Sequence, residues 1–146
     1  MDFKDQVVII TGGARGIGFG IARRFVKLGA QVVLFDIEEK SLREAVESLG
    51  RAAYEVVNVT SENGVNAAVR NTLRRFGSIH VVVQCAGITG KTGIRTEEVD
   101  FKNFQTVLAV NLSGIFLLCK AVLPTMRKQR YGRIINIASI AGKEGS

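Results

Sequence analysis

A chain of 146 residues suits one domain with a sizeable core. At 47% hydrophobic, with 16 glycines and one proline, it is a globular chain and not a disordered one. The net charge of +7 comes from 20 basic and 13 acidic residues, scattered with no basic run interleaved with aromatics, so nucleic-acid binding is not expected and a mild positive field suits an anionic cofactor or substrate. The two cysteines, Cys85 and Cys119, have neither metal nor redox spacing, and their apolar surroundings suit buried thiols in a reducing compartment. No metal site is expected. The first six residues carry no apolar core of a secretory signal, and the apolar runs are too short to span a bilayer, so a cytoplasmic place without membrane contact is expected.

Val7 to Ile10 reads as a short buried strand. A glycine-rich turn follows, then a helix with Ile17, Ile21, Phe25 and Leu28 on one face. Gln31 to Phe35 is a second strand, closed by Asp36. Glu38 to Leu49 reads as a second helix with Leu42, Val46 and Leu49 on its apolar face and Gly50 as its stop. Ala53 to Val57 is a third strand. Ser61 can cap a third helix that turns Val65, Ala68, Val69, Leu73 and Phe76 inward, with Gly77 after it. Ile79 to Val83 is a fourth strand, apolar throughout and so buried on both faces, as in a parallel sheet under two helix layers. After a polar loop, Phe104, Val107, Leu108, Asn111, Leu112, Ile115, Phe116, Cys119, Val122 and Leu123 recur at helical spacing along one long helix. Arg133 to Ala138 is a fifth strand.

The alternation predicts a doubly wound, Rossmann-type α/β sheet of order 3-2-1-4-5, in one domain over residues 1–146, incomplete after strand 5. Its ligand crevice lies at the C-terminal strand ends. The polar and glycine positions collect there: Gly12 to Gly18 after strand 1, Asp36 after strand 2, Asn58 after strand 3, Ala86 and Gly87 after strand 4, and Ser139 after strand 5.

The turn itself is an anion site by construction. The first amides of a helix have no internal partner, and the helix dipole favours negative charge. Gly12, Gly16 and Gly18 give the spacing T-G-x-x-x-G-x-G, not G-x-G-x-x-G. Asp36 lies 18 residues after Gly18, about where a carboxylate would hold a ribose 2′-hydroxyl. The plain alternative is a tight turn with a surface Asp.

Taken together, Thr11-Gly12-Gly13-Ala14-Arg15-Gly16-Ile17-Gly18, Gln84-Cys85-Ala86-Gly87, Val110-Asn111-Leu112 and Gly132 to Ser139 resemble the motifs of the short-chain dehydrogenase/reductase family. The closest likeness is to the 3-oxoacyl-acyl carrier protein reductase and sugar dehydrogenase branch. The resemblance implies an NAD(P)-dependent oxidoreductase that transfers a hydride between the nicotinamide and a secondary alcohol or ketone. It implies cofactor contacts from Gly12, Arg15, Gly16, Ile17, Gly18, Asp36, Asn58, Val59, Cys85, Ala86 and Gly87. By the same resemblance Ser139 bonds the substrate oxygen, and Asn111 bends the long helix and holds a water in the proton relay. The family's Tyr-x-x-x-Lys pair lies beyond the Ser. The chain carries seven residues after Ser139, and its tyrosines are Tyr54 and Tyr131, neither at the expected place. The 146 residues alone are therefore expected to be inactive, the alternative being a nucleotide-binding or subunit-interaction module without turnover. The complete form is expected to be a homo-oligomer.

Three departures stand out. Asn58 replaces a usual Asp, and its amide oxygen is expected to accept from the adenine amine. Gln84 and Cys85 replace two Asn. His80, the only histidine, stands where an Asp is frequent and is expected to be structural. Asp36 favours NAD over NADP, because a carboxylate bonds both ribose hydroxyls and repels a 2′-phosphate. Arg15 is the opposing signal, since an Arg in this loop can face that phosphate.

Overall fold

The computed structural model describes residues 3–144. Five parallel strands make one sheet, β1 (Val7–Thr11), β2 (Gln31–Asp36), β3 (Ala52–Val56), β4 (Val81–Gln84) and β5 (Arg133–Asn136), in the order β3-β2-β1-β4-β5. The expected order holds. The boundaries differ by one or two residues for β3 and β4, and β5 ends at Asn136, short of Ala138.

Strand alternation builds two cores. Val7, Ile9, Val33, Phe35 and Val82 point to one face, where α3 (Glu62–Phe76) and α5 (Gly114–Gln129) supply Val65, Val69, Leu118, Val122 and Met126. Val8, Ile10, Val32, Leu34 and Val83 point to the other, against α1 (Gly16–Lys27) and α2 (Glu39–Leu49), which supply Ala22, Leu42 and Ala45. Each fully buried Ile or Val contributes about 1.5–3 kcal/mol of burial free energy. The helix ends follow their sequence signals: Ser61 Oγ accepts from Gly64 N at 3.2 Å, and Gly50 and Gly77 close α2 and α3 in the left-handed conformation.

Ile17 is a correction. It is 67% exposed, and Gly18 and Ala22 are the α1 residues pressed to the sheet. Contact there requires bare backbone: a Cβ on Gly18 would lie 2.2 Å from the Gly12 carbonyl oxygen.

The long helix is also not uniform. α4 (Phe101–Leu108) runs through a π turn, Ala109–Ser113, into α5. The resulting 29-residue span Phe101–Gln129 is long and apolar enough, by length and composition, to cross a membrane. That corrects the expectation that no apolar run reaches such a length. One such helix is weak evidence for a membrane, because a helix packed on a soluble core passes the same test. Here Leu118, Val122 and Met126 are buried on the sheet, and Lys120 pairs with Glu62 of α3 at 2.7 Å.

His80 sits at the opposite edge of the sheet from the glycine turn. Its Nδ1 accepts from Val7 N at 2.9 Å, and its backbone bridges Val7 and Arg133, so it is structural as expected.

Candidate cofactor site

The C-terminal ends of β1, β2, β3 and β4 meet at a pocket of about 330 Å³. Of the positions singled out from sequence, Gly12, Asp36, Asn58, Val59, Cys85, Ala86 and Gly87 line it. Phe35, Ile37, Val57, Ile88 and Val110 complete the lining. Those five were missed, although four adjoin residues already singled out at strand ends and Val110 adjoins Asn111 in the π turn.

Gly12 floors the pocket. Its φ is +61°, and a Cβ there would sit 2.9 Å from Ala86 N, so neither its conformation nor its space admits a side chain. Gly16 has φ +53° with open space around it. Arg15 is the N-cap of α1 but gives no side-chain hydrogen bond to the first turn, and that turn carries no acid. No side-chain cap or acid of that turn thus competes for its amides, and the helix dipole favours an anion there.

Thr11 sets the second wall. Its buried Oγ1 accepts from Cys85 N at 3.2 Å and from Ala86 N at 3.1 Å. The β4 exit is thereby pinned against the β1 exit. Gln84, also buried, ties the same place to the far edge: its Nε2 donates to Asn136 Oδ1 at 3.1 Å, and the Cys119 Sγ is 3.3 Å away. Burial pushes the Cys85 thiol above its ordinary range.

Asp36 ends β2 with its carboxylate half spoken for. Oδ2 accepts from Ala14 N at 3.2 Å and Oδ1 from Ile37 N at 2.8 Å. Each oxygen keeps a second lone pair for a ligand hydroxyl. Asn58 differs from expectation. Its Oδ1 accepts from both Thr60 N at 3.0 Å and Thr60 Oγ1 at 2.8 Å. The oxygen is saturated, so the amide offers the pocket donor hydrogens in place of the expected acceptor.

Asn111 lies in the π turn, where a bend was expected. Its amide does not point to open solvent: Oδ1 accepts from Ile88 N and Nδ2 donates to Ile88 O. Asn111 thus holds the loop that follows β4, and its neighbour Val110 lines the pocket. Ser139 is exposed and outside the pocket lining, and its Oγ accepts from Ala141 N at 3.2 Å. Arg15, Gly16, Ile17 and Gly18 are also outside the lining. Arg15 bonds Glu38, which precedes α2, and Ser41 in the first turn of α2.

Bare glycine backbone beside a helix N-terminus, with a carboxylate at the end of the adjacent strand, fits a dinucleotide: pyrophosphate on the amides, ribose on Asp36. Comparison with known proteins identifies the family. The family model for short chain dehydrogenase matches residues 6–146. L-fucose dehydrogenase of Oryctolagus cuniculus is 41% identical over 143 residues, covering 98% of this chain and 50% of that protein. The 3-oxoacyl-[acyl-carrier-protein] reductase of Chlamydia muridarum is 38% identical over 148 residues, covering 97% of this chain and 58% of that protein. Among solved structures, an NAD+-bound xylitol dehydrogenase superposes with a TM-score of 0.96 at 33% identity, over all of this chain and 57% of that one. The chain spans about half the length of the curated relatives it matches. It belongs to the short chain dehydrogenase family, whose members are NAD(P)-linked oxidoreductases of alcohols and ketones.

Proposed function

We propose that residues 1–146 form the NAD-binding part of an oxidoreductase that interconverts a secondary alcohol and a ketone. The observation that carries this reading is the Asp36 carboxylate, with a free lone pair on each oxygen, in one pocket with Gly12, Ala86 and Gly87. A carboxylate there accepts from the ribose hydroxyls and repels a 2′-phosphate. The α1 amides at Gly16 to Gly18 take the pyrophosphate, and Ala86 and Gly87 offer backbone to the nicotinamide-side ribose. When bound, the dinucleotide carries the hydride.

The chain's own residues position and polarise. Thr11 holds the Ala86 wall, and Asn111 holds Ile88. The Ser139 hydroxyl, released from its turn, donates to the substrate oxygen. Substrates are small alcohols of the sugar or hydroxy-acid class, with 3-oxoacyl compounds second, because NAD in place of NADP favours oxidation. The names of the relatives, L-fucose dehydrogenase and a 3-oxoacyl reductase, support that span of substrates.

A second reading has its own support. Tyr54 lies in β3, and Tyr131 precedes β5, where its hydroxyl reaches Gln6 and its ring packs on His80. Neither tyrosine lines the pocket. By themselves these residues would then hold a nucleotide without turnover. Exposed Phe104, Leu112 and Phe116 support a homo-oligomer.

An amide NMR titration of the chain with NAD tests the binding. Shifts should concentrate at Gly12, Gly16, Ile37, Asn58, Ala86 and Gly87. Saturable binding with shifts confined elsewhere would refute the site.

A further inference from the structure

Two straps join the glycine turn to the end of β2. The first is the Ala14 amide on Asp36. The second is made by side chains. The Arg15 guanidinium pairs with the Glu38 carboxylate and also bonds the Ser41 hydroxyl, with Arg15 Nε 3.1 Å from Ser41 Oγ. Ser41 Oγ in turn donates to Glu38 Oε2 at 2.9 Å, and Ser41 is buried at the start of α2. A fixed hydroxyl thus orients both partners of the ion pair.

The placement matters because Arg15 follows Ala14, whose amide donates to the ribose carboxylate of Asp36. Glu38 lies two positions after Asp36 and Arg15 one position after Ala14. A 2′-phosphate on a ribose held by Asp36 would need a guanidinium fork of this kind. In this chain the fork is already filled by an anion and a hydroxyl.

We propose that Glu38 is a specificity-determining residue: it holds Arg15 in an internal ion pair and so keeps the ribose pocket selective for NAD. The proposal deepens the NAD reading and rests on it. Glu38 acts through Arg15 in addition to its own repulsion of a phosphate. The pair is open to solvent, with side-chain exposures of 69% and 50%, so the hold is reversible and the expected effect is moderate.

The test is a double-mutant cycle read by isothermal titration with NAD and NADP on the full chain: wild type, Glu38→Ala, Arg15→Ala and the double variant. Glu38→Ala should tighten NADP binding by about tenfold, with NAD changed by less than about threefold, since one freed charge-assisted contact is worth about that factor. In the Arg15→Ala background the gain should fall below about threefold. Glu38→Gln, which removes the charge and keeps an acceptor, should give a smaller gain than Glu38→Ala. A gain of equal size with and without Arg15 would overturn the clamp, leaving simple repulsion, and so would no gain in Glu38→Ala. Wild type that binds NADP more tightly than NAD contradicts the NAD reading alone. The clamp is then judged by the Arg15-dependent gain, which is measured in either case.

Discussion

Asn111 and Ile88 are joined at two points: Asn111 Oδ1 accepts from the Ile88 backbone N–H at 2.9 Å, and Asn111 Nδ2 donates to the Ile88 carbonyl at 2.8 Å. The pair anchors the π turn Ala109–Ser113 to the loop after β4. Only a side-chain amide offers a donor and an acceptor at that spacing. Both residues lie toward the surface, so water takes part of the place of a lost partner. Asn111→Ala should cost about 1 kcal/mol, seen as a lower urea midpoint, together with weaker NAD binding. An unchanged midpoint would mean that the loop holds itself.

Gly18 and Gly20 separate close approach from helix propensity. A Cβ on Gly18 meets the Gly12 carbonyl at 2.2 Å, whereas one on Gly20 meets nothing within 4 Å. Both lie in α1. Gly18→Ala should destabilise by about 1–3 kcal/mol or more through overpacking. Gly20→Ala should stabilise by about 0.5–1 kcal/mol. Thermal unfolding of the two variants should therefore shift in opposite directions. Two shifts of the same sign would show that the α1–β1 contact is not held as described.

Thr11 contributes a hydroxyl that no apolar isostere replaces. Thr11→Val keeps the shape but leaves Ala86 N without its acceptor and Cys85 N with the Thr11 carbonyl alone. The expected loss is about 1–3 kcal/mol, with weaker NAD affinity because the Ala86 wall loosens. Thr11→Ser restores the hydroxyl and should recover most of both. Failure of Ser to recover either would assign the effect to the methyl group.

Cys85 titrates above the ordinary thiol range because it is partly buried. At pH 7.5 it should alkylate with iodoacetamide more slowly than a free thiol, and NAD should slow it further, since the residue lines the pocket. Peptide mapping distinguishes it from Cys119. For stability, the folded state holds its proton to higher pH than the unfolded state does. The contribution is thus fully present below about pH 8.5 and declines as pH rises through the folded value. Faster alkylation than a free thiol would contradict the burial.

Much of this was legible because the signals are local. Strand alternation, capping Ser61 and the stops at Gly50 and Gly77 are written into adjacent residues, and right-handed crossovers convert them into the sheet order. The pocket followed because strand ends in a doubly wound sheet share one edge. Ile17 was misplaced because α1 begins at a glycine contact that a helical wheel does not register. The core face of α5 was only partly found: Val122 was, Leu118 and Met126 were not. A π turn adds one residue to a helical turn, so a stripe counted through Ala109–Ser113 points about 100° away on the far side. The Arg15–Glu38–Ser41 clamp joins side chains across loops, and spacing carries no sign of it, whereas the Asn58 oxygen is taken within its own turn by Thr60, two residues on.

The most direct test of the central claim is the NAD and NADP dissociation constants of wild type and Asp36→Ala, measured by calorimetry on the full chain. Wild type should bind NAD more tightly, and Asp36→Ala should weaken NAD and strengthen NADP, moving their ratio by about tenfold or more. A ratio that Asp36→Ala leaves unchanged, or no binding of either nucleotide to wild type, would contradict the placement of the ribose on Asp36.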